Sequence, residues 1–566
     1  MIAIVKEDAH WLRFSEPREG LETACLDEVI PLLERAVETG CYVAGWLSYE
    51  AAGAFDEALT TGSVGRVPLM VMGLFESVER LEVLPEALAV GGLSGLEASV
   101  DEAGFELAID SIKEQIAAGA TYQVNYSYRL GGAFTGDAYG FFRSLVAGQD
   151  AGYAAFVEVD GWAVCSASPE LFFRLKEGVL ESRPMKGTVR RGRTPAEDAM
   201  LADGLRASEK NRAENIMIVD MIRNDLGRVA ELGSVETVKT FALERYPTVW
   251  QMTSTVRGLV KGSVLDVLRA LFPCASITGA PKVKTMELIE ALETEPRGVY
   301  TGSVGYWGPS GDGQFNVAIR TAVIDAVEGR LTYGVGGGIV WDSDAASEYA
   351  ETLAKAEVLL GERPAFDLLE TVVWRPETGV YLLDRHVERL RASAAFFGRR
   401  FDEDEVVRLL DSLGGSVALR VRLLLDERGL LRMEPLPLRT LHEGGALRVR
   451  LASEPVDRGD RWLYHKTTHR AVYAAAEAER VDCEEVMLWN REGEITEGTI
   501  FNVAVERQGV WVTPPVASGL LGGVMRAELL ASGALVEGIV LVEELREAGR
   551  FRLFNSVRGV CDAVWK

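Results

Sequence analysis

Residues 317–340 read VAIRTAVIDAVEGRLTYGVGGGIV, and this stretch indicates the class of fold. Residues 317–324 and 331–335 are strand-like, and a turn-rich segment separates them. The glycines at 336–338 predict a loop that a ligand can approach closely, since glycine has no side chain. Earlier in the chain, one helical face is formed by Ile216, Val219, Ile222 and Leu226. The sequence therefore predicts a fold that mixes helices and strands.

The pattern changes near Pro364. Residues 348–360 are predicted to form a helix, which a glycine and then this proline end. A strand-like run at 366–374 follows directly. The predicted buried stripe of the helix comprises Tyr349, Leu353, Ala356 and Leu360. Because 566 residues are too many for one hydrophobic core, we expect two domains, 1–362 and 363–566, each of mixed α and β structure (α+β or α/β).

The composition argues against several classes of function. The chain has 60 Lys and Arg residues against 85 Asp and Glu, a net charge of −25, which disfavours nucleic acid as a ligand. Its six cysteines are scattered without paired spacing, which indicates reduced thiols rather than a zinc site or a disulfide framework. The opening residues contain no signal-peptide core, and no apolar run reaches the roughly 20 residues needed to cross a bilayer. We therefore expect a soluble, cytoplasmic protein that does not enter a membrane.

Several short motifs follow one another in the first two thirds of the chain. They are Ser168-Pro-Glu-Leu-Phe, Pro184-Met-Lys-Gly-Thr, Ala213-Glu-Asn, Arg223-Asn-Asp-Leu, Thr278-Gly-Ala-Pro-Lys, Tyr300-Thr-Gly-Ser, Ile319-Arg-Thr and Gly336-Gly-Gly-Ile-Val, followed by a helix with Glu348 and Glu351. Each motif is weak alone, but the ordered set is specific. It resembles the chorismate-binding enzymes, which include anthranilate synthase large subunits, aminodeoxychorismate synthases, and isochorismate or salicylate synthases.

The resemblance implies a Mg²⁺ ion held by Glu214, Glu348 and Glu351. The last two are three residues apart on a predicted helix, so both carboxylates project from one face. By itself such a pair would more often be a solvated acidic face. Mg²⁺ is a hard cation that takes oxygen ligands and keeps positions open for a substrate. In the family it holds the ring carboxylate of chorismate.

The same resemblance assigns residues to the substrate. Arg320 would bind the enolpyruvyl carboxylate, because a guanidinium offers two parallel hydrogen bonds to such a group. Without the motif, a structural salt bridge would explain this arginine about as well. The other residues implied at the substrate wall are Thr278, Tyr300 and the backbone amides of Gly336, Gly337 and Gly338.

Lys186 separates the activities within this family. Aminodeoxychorismate synthases resemble the chain in having lysine here, whereas anthranilate synthases have alanine. In the family the lysine is thought to attack ring carbon C2, which requires a neutral amine, and burial with a nearby Mg²⁺ would lower its pKa. Glu170 would act as the general acid for the departing 4-hydroxyl, and a raised pKa suits that task. The alternative for Lys186 is an exposed turn lysine.

The expected source of nitrogen is ammonia. Isochorismate-type relatives have a lysine where this chain has Gln123, and an amide cannot act as the base that activates water. No cysteine lies in the Gly-x-Cys-x-Gly setting of a glutamine amidotransferase nucleophile. We therefore expect a separate glutamine amidotransferase subunit to supply the ammonia, with free ammonia as a poorer substitute.

A second ordered set of motifs begins after Pro364. It comprises Phe366-Asp-Leu-Leu-Glu-Thr, Leu383-Asp-Arg-His-Val-Glu-Arg-Leu, His465-Lys-Thr-Thr, Glu494-Ile-Thr-Glu-Gly-Thr-Ile-Phe-Asn and Gly519-Leu-Leu-Gly-Gly-Val-Met-Arg. This set resembles the fold-type IV pyridoxal-phosphate enzymes, among them branched-chain and D-amino-acid aminotransferases and aminodeoxychorismate lyases. The resemblance covers nearly all of the remaining chain and implies a homodimer formed through this part.

The second resemblance implies a site for pyridoxal 5′-phosphate. Lys466 would attach the cofactor and move protons at the substrate, and Glu497 would keep the pyridine nitrogen protonated. The implied phosphate ligands are Arg389 and the amides of Gly522, Gly523 and Val524, which open a predicted helix.

Together the two resemblances imply synthesis of 4-aminobenzoate. Chorismate would be aminated at C4 to 4-amino-4-deoxychorismate, which would then lose pyruvate. Their pairing favours a lyase over a transaminase, because the synthase makes what the lyase consumes. Two alternatives stay open: an aminodeoxychorismate or anthranilate synthase with an unrelated aminotransferase tail, and a C-terminal part that is an inert structural module.

Overall fold

A computed structural model describes the chain at residues 1–149, 151–359, 364–438, 445–548 and 550–566. No helix within these ranges is both long enough and apolar enough to cross a membrane. The helices, in chain order, are Leu26–Glu38, Ala52–Phe55, Glu102–Ala117, Ala138–Gln149, Pro195–Ala207, Glu209–Gly227, Val264–Leu271, Lys282–Leu292, Ala345–Ala356, Leu383–Phe397, Glu403–Asp411, Ala471–Ala478, Val524–Ala531 and Val542–Glu547. Short 3₁₀ turns occur at Tyr49–Ala51, Ala275–Ile277, Glu357–Leu359, Arg461–Leu463 and Val516–Ser518.

The chain divides into two compact units. Met1–Arg190 and Ala202–Arg363 form the first, and Arg191–Leu201 and Pro364–Lys566 form the second. The predicted boundary between residues 362 and 363 lies outside the described residues. No sequence pattern indicated that residues 191–201 would group with the second unit.

The first unit contains two antiparallel sheets. In spatial order, the first sheet consists of Gly279–Ala280, Gln123–Thr135, Arg330–Ile339, Thr321–Asp325, Trp162–Ser166, Ala155–Val159, Ile2–Glu7, His10–Ser15 and Glu79–Leu81, and Gly92–Ala98 also pairs with Gln123–Thr135. The second consists of Met185–Arg190, Val249–Leu259, Val179–Arg183, Leu171–Lys176, Gly313–Val317, Ser303–Trp307, Tyr42–Leu47, Met70–Phe75 and Glu19–Thr23, and Glu236–Arg245 also pairs with Val249–Leu259. Phe14 from the first sheet and Trp46 and Phe75 from the second are fully buried together, so the two sheets share a core.

Residues 317–324 do not form the single strand that was predicted. Gly313–Val317 ends in the second sheet, and Thr321–Asp325 begins in the first. The chain crosses between the sheets at 318–320, where Arg320 has a φ of 49°. The apolar pattern continues across the break because both strands are buried, so no residue pattern indicates the crossing.

The glycines at 336–338 also differ from the prediction. They are not a loop but belong to the strand Arg330–Ile339, where Gly336 pairs with Ser127 and Gly338 with Asn125. A Cβ atom on Gly336 would collide with the carbonyl oxygen of Tyr126. Glycine in a strand interior often marks such close approach of neighbouring groups, and here it lets the strand form a tightly packed wall.

Two predicted helical faces need correction. Leu353 is 45% exposed, and the neighbouring Thr352 is buried in its place, while Leu360 lies outside the described residues. Ile216 is 48% exposed, and Ile218 is buried instead. In both helices a buried residue therefore lies one or two positions away from the apolar residue that was predicted to be buried.

The second unit also contains two sheets. The smaller is antiparallel and consists of Gly379–Val380, Leu368–Arg375, Leu419–Leu425 and Leu431–Pro437. The larger mixes parallel and antiparallel pairs and consists of Ile495–Gly498, Glu485–Trp489, Leu447–Leu451, Gly559–Trp565, Phe551–Asn555, Asn502–Arg507, Val510–Thr513 and Val536–Glu537. Helix Leu383–Phe397 packs Val387, Leu390 and Ala394 into a core with the smaller sheet.

Candidate active sites

A cavity of about 360 Å³ in the first unit brings together most of the residues predicted for the first site. Its wall includes Glu170, Lys186, Glu214, Tyr300, Arg320, Gly336, Gly337, Gly338, Glu348 and Glu351. Strands from both sheets, two helices and the connections that contain Glu170, Tyr300 and Arg320 supply these residues, so the cavity depends on the fold of the whole unit.

Lys186 points into this cavity rather than into bulk water. It lies on strand Met185–Arg190, and its carbonyl accepts a hydrogen bond from Nδ2 of Asn215 at 3.3 Å, which ties the strand to helix Glu209–Gly227. A Cβ atom on Gly338 would lie 2.7 Å from Nζ of Lys186 and closer still to Nε2 of Gln123. Burial lowers the pKa of Lys186, although the carboxylates of Glu214 and Glu170 oppose this effect.

Glu170 is the buried acid of the cavity. It is only 3% exposed, and its Oε1 accepts a hydrogen bond from the hydroxyl of Ser276 at 2.6 Å. Burial raises the pKa of Glu170 to about 7, while the Ser276 hydrogen bond and the charge of Lys186 partly counteract the rise. At neutral pH a substantial fraction of the carboxyl is therefore protonated and able to donate a proton.

The three carboxylates predicted to bind Mg²⁺ line the cavity but do not form a tight cluster. Within the described ranges, no three His, Cys, Asp or Glu side chains stand close enough together to hold a metal ion. Oε1 of Glu348 accepts a hydrogen bond from Ser343 at 2.7 Å, and burial raises the pKa of Glu348. Glu351 pairs with Lys355 at 2.8 Å, and this cation lowers the pKa of Glu351. The oxygen donors suit Mg²⁺, but they would have to draw together around it.

Arg320 presents its guanidinium to the cavity without a carboxylate partner among the described residues. Its Nη1 donates a hydrogen bond to Oε1 of Gln149 at 2.8 Å, and its guanidinium lies 5.6 Å from the ring centre of Tyr246. Burial lowers the pKa of Arg320. An uncompensated guanidinium in a cavity of this kind is suited to bind a carboxylate of a ligand.

Tyr300 and Thr278 differ in their placement. The ring of Tyr300 lines the cavity, with the guanidinium of Arg129 5.1 Å from its centre. Thr278 is fully buried behind the wall, and its hydroxyl donates to the carbonyl of Ala275 at 3.2 Å. Ser276 and Ile277 of the same segment line the cavity in its place, because the 3₁₀ turn Ala275–Ile277 directs them inward.

A second cavity, of about 460 Å³, lies in the second unit and includes Lys466 and Glu497. The carboxylate of Glu497 accepts hydrogen bonds from the hydroxyl of Tyr473 at 2.7 Å, Nδ2 of Asn502 at 3.2 Å and the backbone N–H of Leu521 at 2.9 Å. Burial raises the pKa of Glu497 to about 7. Burial also lowers the pKa of Lys466 to about 8, with help from the positive charge of Arg389.

Arg389 lines the second cavity and is fixed from behind. Its guanidinium donates two hydrogen bonds of 2.7 Å to the buried carboxylate of Glu370, which also contacts Nδ1 of His386 at 2.7 Å. Burial by itself would raise the pKa of Glu370, but Arg389 and His386 outweigh it and hold the pKa at about 2. Nη1 of Arg389 also donates to the carbonyl of Gly522 at 3.2 Å. Glu370 therefore holds Arg389 in a defined orientation.

The glycine segment of the second cavity begins a helix, as predicted. Gly523 is the N-cap of helix Val524–Ala531, and both Gly523 and Val524 line the cavity. Gly522, which was also predicted at the phosphate, is not among the residues that line it. The amine of Lys466, the carboxylate of Glu497, the cation of Arg389 and the free amides of this helix are the donor and acceptor groups that pyridoxal phosphate requires. The residues present fit this cofactor.

The family model described as chorismate binding enzyme matches residues 6–361. The chain belongs to this family. A second model, amino-transferase class IV, matches residues 367–564, so a class IV aminotransferase domain follows the chorismate-binding domain. The family resemblances inferred from the motifs are thus confirmed.

Curated relatives of the chorismate-binding domain have more than one name. Aminodeoxychorismate synthase of Streptomyces griseus is 43% identical over 299 residues, which is 51% of this chain and 41% of that protein. Anthranilate synthase component 1 of Aquifex aeolicus is 42% identical over 258 residues, 45% of this chain and 52% of that protein. The chain spans about half the length of the curated relatives that it matches.

A solved structure supports the fold of this family member. The crystal structure of anthranilate synthase component I from Streptococcus pneumoniae superposes with a TM-score of 0.55 at 24% identity. The match covers 64% of this chain and 92% of that chain. At this identity the likeness establishes the fold of the chorismate-binding domain.

Several residues of both cavities were missed from the sequence. In the chorismate-binding domain they are Ser276, Lys210 and Lys355, and in the class IV domain they are Arg420, Arg422, Arg470, Tyr473 and Arg558. Two more do not line a cavity but contact an arginine that does: Gln149 accepts a hydrogen bond from Arg320, and Glu370 accepts one from Arg389. The spacing of Glu351 and Lys355 was a usable signal, since residues four apart on a helix form ion pairs. The others depend on contacts between distant segments, which one sequence does not reveal.

Gly338→Ala tests whether the close approach of Lys186 matters for the chorismate-binding domain. The added methyl would push against the ends of the Lys186 and Gln123 side chains, which can move, so we expect the fold to persist. We expect the melting temperature to change little and the turnover of chorismate with ammonium and Mg²⁺ to fall at least about tenfold, because a displaced group in an active site is costly.

Gly204→Ala is the matched control. Gly204 lies in helix Pro195–Ala207, and a Cβ atom there meets nothing within 4 Å. We expect full turnover and an unchanged or higher melting temperature, since alanine favours helices over glycine. Wild-type turnover by Gly338→Ala would contradict the importance of this contact.

Proposed function

We propose that this chain makes 4-aminobenzoate from chorismate in two steps, amination in the chorismate-binding domain and loss of pyruvate in the class IV domain. The main support is the amine of Lys186, which faces the same cavity as Glu170, Glu214, Glu348 and Glu351. Relatives with the two synthase names match about equally well, so the choice between the activities depends on this lysine.

Binding of chorismate would use its two carboxylates. Arg320, which has no carboxylate partner among the described residues, would hold the enolpyruvyl carboxylate. Glu214, Glu348 and Glu351 would hold Mg²⁺, whose charge would hold the ring carboxylate. Tyr300 and the glycine strand would flank the substrate ring. The glycines leave room for the ring because they have no side chains.

The amination follows from the positions of Lys186 and Glu170. The neutral amine of Lys186 attacks ring carbon C2, the two ring double bonds shift, and the bond from C4 to its hydroxyl breaks. Glu170 donates its proton to this hydroxyl, which leaves as water. Ammonia then adds at C4, the double bonds shift back, and the amine of Lys186 leaves C2. The net change replaces the 4-hydroxyl by an amino group.

The class IV domain would convert the product, 4-amino-4-deoxychorismate. Pyridoxal phosphate, when bound, supplies an electron sink for the substrate. Lys466 would move the proton at ring carbon C4, and its pKa of about 8 leaves part of the amine neutral at physiological pH. Loss of pyruvate together with this proton leaves the aromatic ring of 4-aminobenzoate.

The ammonia would come from a separate glutamine amidotransferase, and the class IV domain would form a homodimer. Both follow from the family resemblances. Free ammonia at high concentration would replace the partner, so the synthase activity can be tested with the chain alone.

Product analysis tests the first step. We expect the purified protein, given chorismate, an ammonium salt and Mg²⁺, to form 4-amino-4-deoxychorismate, and 4-aminobenzoate when pyridoxal phosphate is present. Lys186→Ala should lose this amination by at least about 100-fold, because it removes the nucleophile. Liquid chromatography with fluorescence detection separates the products.

Lys186→Arg is the matched control for this experiment. It keeps the positive charge but has no neutral amine near pH 7, so it should be as inactive as Lys186→Ala. Anthranilate as the wild-type product, or amination by Lys186→Ala at the wild-type rate, would overturn the synthase proposal.

Ser276→Ala tests the role of Glu170 through the pH dependence. A general acid must be protonated, so kcat/KM should fall as the pH rises above the Glu170 pKa of about 7. The Ser276 hydrogen bond favours the charged carboxylate, so its removal raises this pKa and should move the alkaline limb to higher pH. The two profiles are compared at a constant concentration of free ammonia. A limb that stays or moves to lower pH would argue against Glu170 as the acid.

Lys466→Ala tests the second step. With chorismate, ammonium, Mg²⁺ and pyridoxal phosphate, we expect the variant to accumulate 4-amino-4-deoxychorismate while its rate of chorismate consumption matches that of the wild type. The reason is that Lys466 lies in the second cavity and not in the first. Formation of 4-aminobenzoate by Lys466→Ala at the wild-type rate would show that the lyase site is misassigned.

A further inference from the structure

A segment from the middle of the chorismate-binding sequence belongs to the second unit. Residues 191–201 lie within the range 6–361 that the chorismate-binding family model matches, yet they group with Pro364–Lys566. They directly follow the strand Met185–Arg190 in the chain, and they are not part of the wall of the first cavity. Residues 191–198, which we call the docking segment, therefore serve a purpose other than lining that cavity.

The docking segment is held in one conformation by its own side chains. Nε and Nη2 of Arg191 donate hydrogen bonds of 2.7 Å to the two carboxylate oxygens of Asp198, and both side chains are buried. The backbone N–H of Gly192 donates to the same carboxylate at 2.8 Å, and that of Arg193 donates to Glu197 at 2.9 Å. Such charge-assisted contacts are geometrically specific. They fix the backbone to which the carbonyl of Arg193 belongs.

The docking segment contacts two parts of the second unit. Nη2 of Arg191 donates to the carbonyl of Phe396 at 2.9 Å, and its guanidinium lies 4.5 Å from the centre of the Phe396 ring. Phe396 lies in the last turn of helix Leu383–Phe397. The guanidinium of Arg193 lies 5.6 Å from the ring centre of Tyr464. The segment therefore contacts both this helix and the stretch of chain that leads into the lysine of the second cavity.

His465 makes the central contact with the docking segment. Its Nε2 lies 3.2 Å from the carbonyl oxygen of Arg193, and its Nδ1 lies 3.1 Å from the hydroxyl of Ser393. A carbonyl oxygen can only accept, so Nε2 carries the hydrogen and Nδ1 accepts one from Ser393. Burial lowers the pKa of His465 to about 4, so the ring is neutral at physiological pH and makes one contact of each kind. The rings of Phe396 and Phe397 enclose it, with centroids 4.2 and 4.8 Å away.

These contacts set the position of Lys466. The lysine directly follows His465, and its carbonyl accepts a hydrogen bond from the backbone N–H of Leu369 at 2.9 Å. Ser393 lies four residues after Arg389 in one helix, so the two side chains are on the same side of that helix. His465 thus ties the lysine to the helix that carries the predicted phosphate ligand. A displacement of about 1 Å at a site of this kind can lower a rate about 100-fold.

We propose that the docking segment completes the class IV active site by holding His465, through the Arg193 carbonyl, in the orientation that positions Lys466. The inference rests on the proposed function, in which Lys466 moves the proton at ring carbon C4. Neither His465 nor the docking segment lines the second cavity, so both act as positioning residues. A part of the sequence that the chorismate-binding family model matches thus serves the reaction of the other domain.

Two amide substitutions of His465 test this contact in the full-length protein loaded with pyridoxal phosphate, with purified 4-amino-4-deoxychorismate as substrate. The amide nitrogen of glutamine can take the place of Nε2 and donate to the Arg193 carbonyl, whereas asparagine is shorter and keeps only the contact with Ser393. His465→Asn should lower kcat at least about tenfold and change KM by less than about threefold, and His465→Gln should keep kcat within about threefold. Both variants lose the aromatic ring, so a role in packing alone would lower both equally. An equal loss in both, or wild-type kcat in both, would overturn the proposal.

Gly192→Ala displaces the docking segment without altering His465. A Cβ atom on Gly192 would collide with the backbone nitrogen of Asp198, so the segment must shift. We expect kcat to fall at least about tenfold, and the double variant with His465→Asn to lose less than about threefold more, because both changes remove one contact. Gly204→Ala, in helix Pro195–Ala207, is the matched control and should keep the wild-type kcat, since a Cβ atom there meets nothing within 4 Å. Losses that multiply in the double variant would contradict the proposed contact.

Attachment of the cofactor gives a measurement that is independent of the lyase reaction. Cofactor-free full-length protein is mixed with pyridoxal phosphate, and borohydride reduction at timed intervals makes its bond to Lys466 permanent, so mass spectrometry gives the rate of attachment. We expect His465→Asn and Gly192→Ala to slow attachment at least about fivefold, and His465→Gln to stay within about twofold of the wild type. This pattern in a protein that does not convert 4-amino-4-deoxychorismate would support the positioning role and overturn the proposed second step. Attachment by His465→Asn at the wild-type rate would overturn the positioning role.

Discussion

The Lys186 amine packs against the strand that contains Gly338, and the arrangement of the first site depends on this contact. Any side chain at position 338 would occupy the space of this amine and of the Gln123 amide. Gly338 lies opposite Asn125 in the register of the sheet, so the position that has no side chain is set by the strand pairing. The lysine therefore reaches the cavity, where Arg320 and the carboxylates of two helices also point.

Both cavities use one physical device: a buried acid and a partly buried amine whose pKa values are shifted towards neutrality. Burial raises the pKa of Glu170 and of Glu497 to about 7 and lowers the pKa of Lys186 and Lys466. Groups near neutrality can exchange protons at physiological pH, whereas an exposed glutamate or lysine is held in one state. The supporting contacts, Ser276 for Glu170 and Tyr473 for Glu497, adjust these values.

The sequence was sufficient to predict both families, because their ordered motifs can be recognised without knowledge of the fold. Most of the residues assigned from these motifs line the two cavities. It was insufficient wherever the answer depended on contacts between distant segments. The crossing at Arg320 lies inside a continuous apolar pattern, and Thr278 lies behind the wall because a 3₁₀ turn directs Ser276 inward instead. Arg420, Arg422, Arg470 and Arg558 belong to none of the quoted motifs, and only the fold brings them to the wall of the second cavity.

The most direct test of the central claim is the ionisation of Lys186 itself. The full-length protein is treated with acetic anhydride at a series of pH values, and mass spectrometry measures the acetylation of each lysine. The pH dependence for Lys186 gives the pH at which its amine becomes reactive, and the exposed Lys176 is the reference for the reagent. The account predicts a midpoint for Lys186 below the ordinary lysine pKa of about 10.4. A midpoint at or above that value would show that the amine is not held ready to attack chorismate.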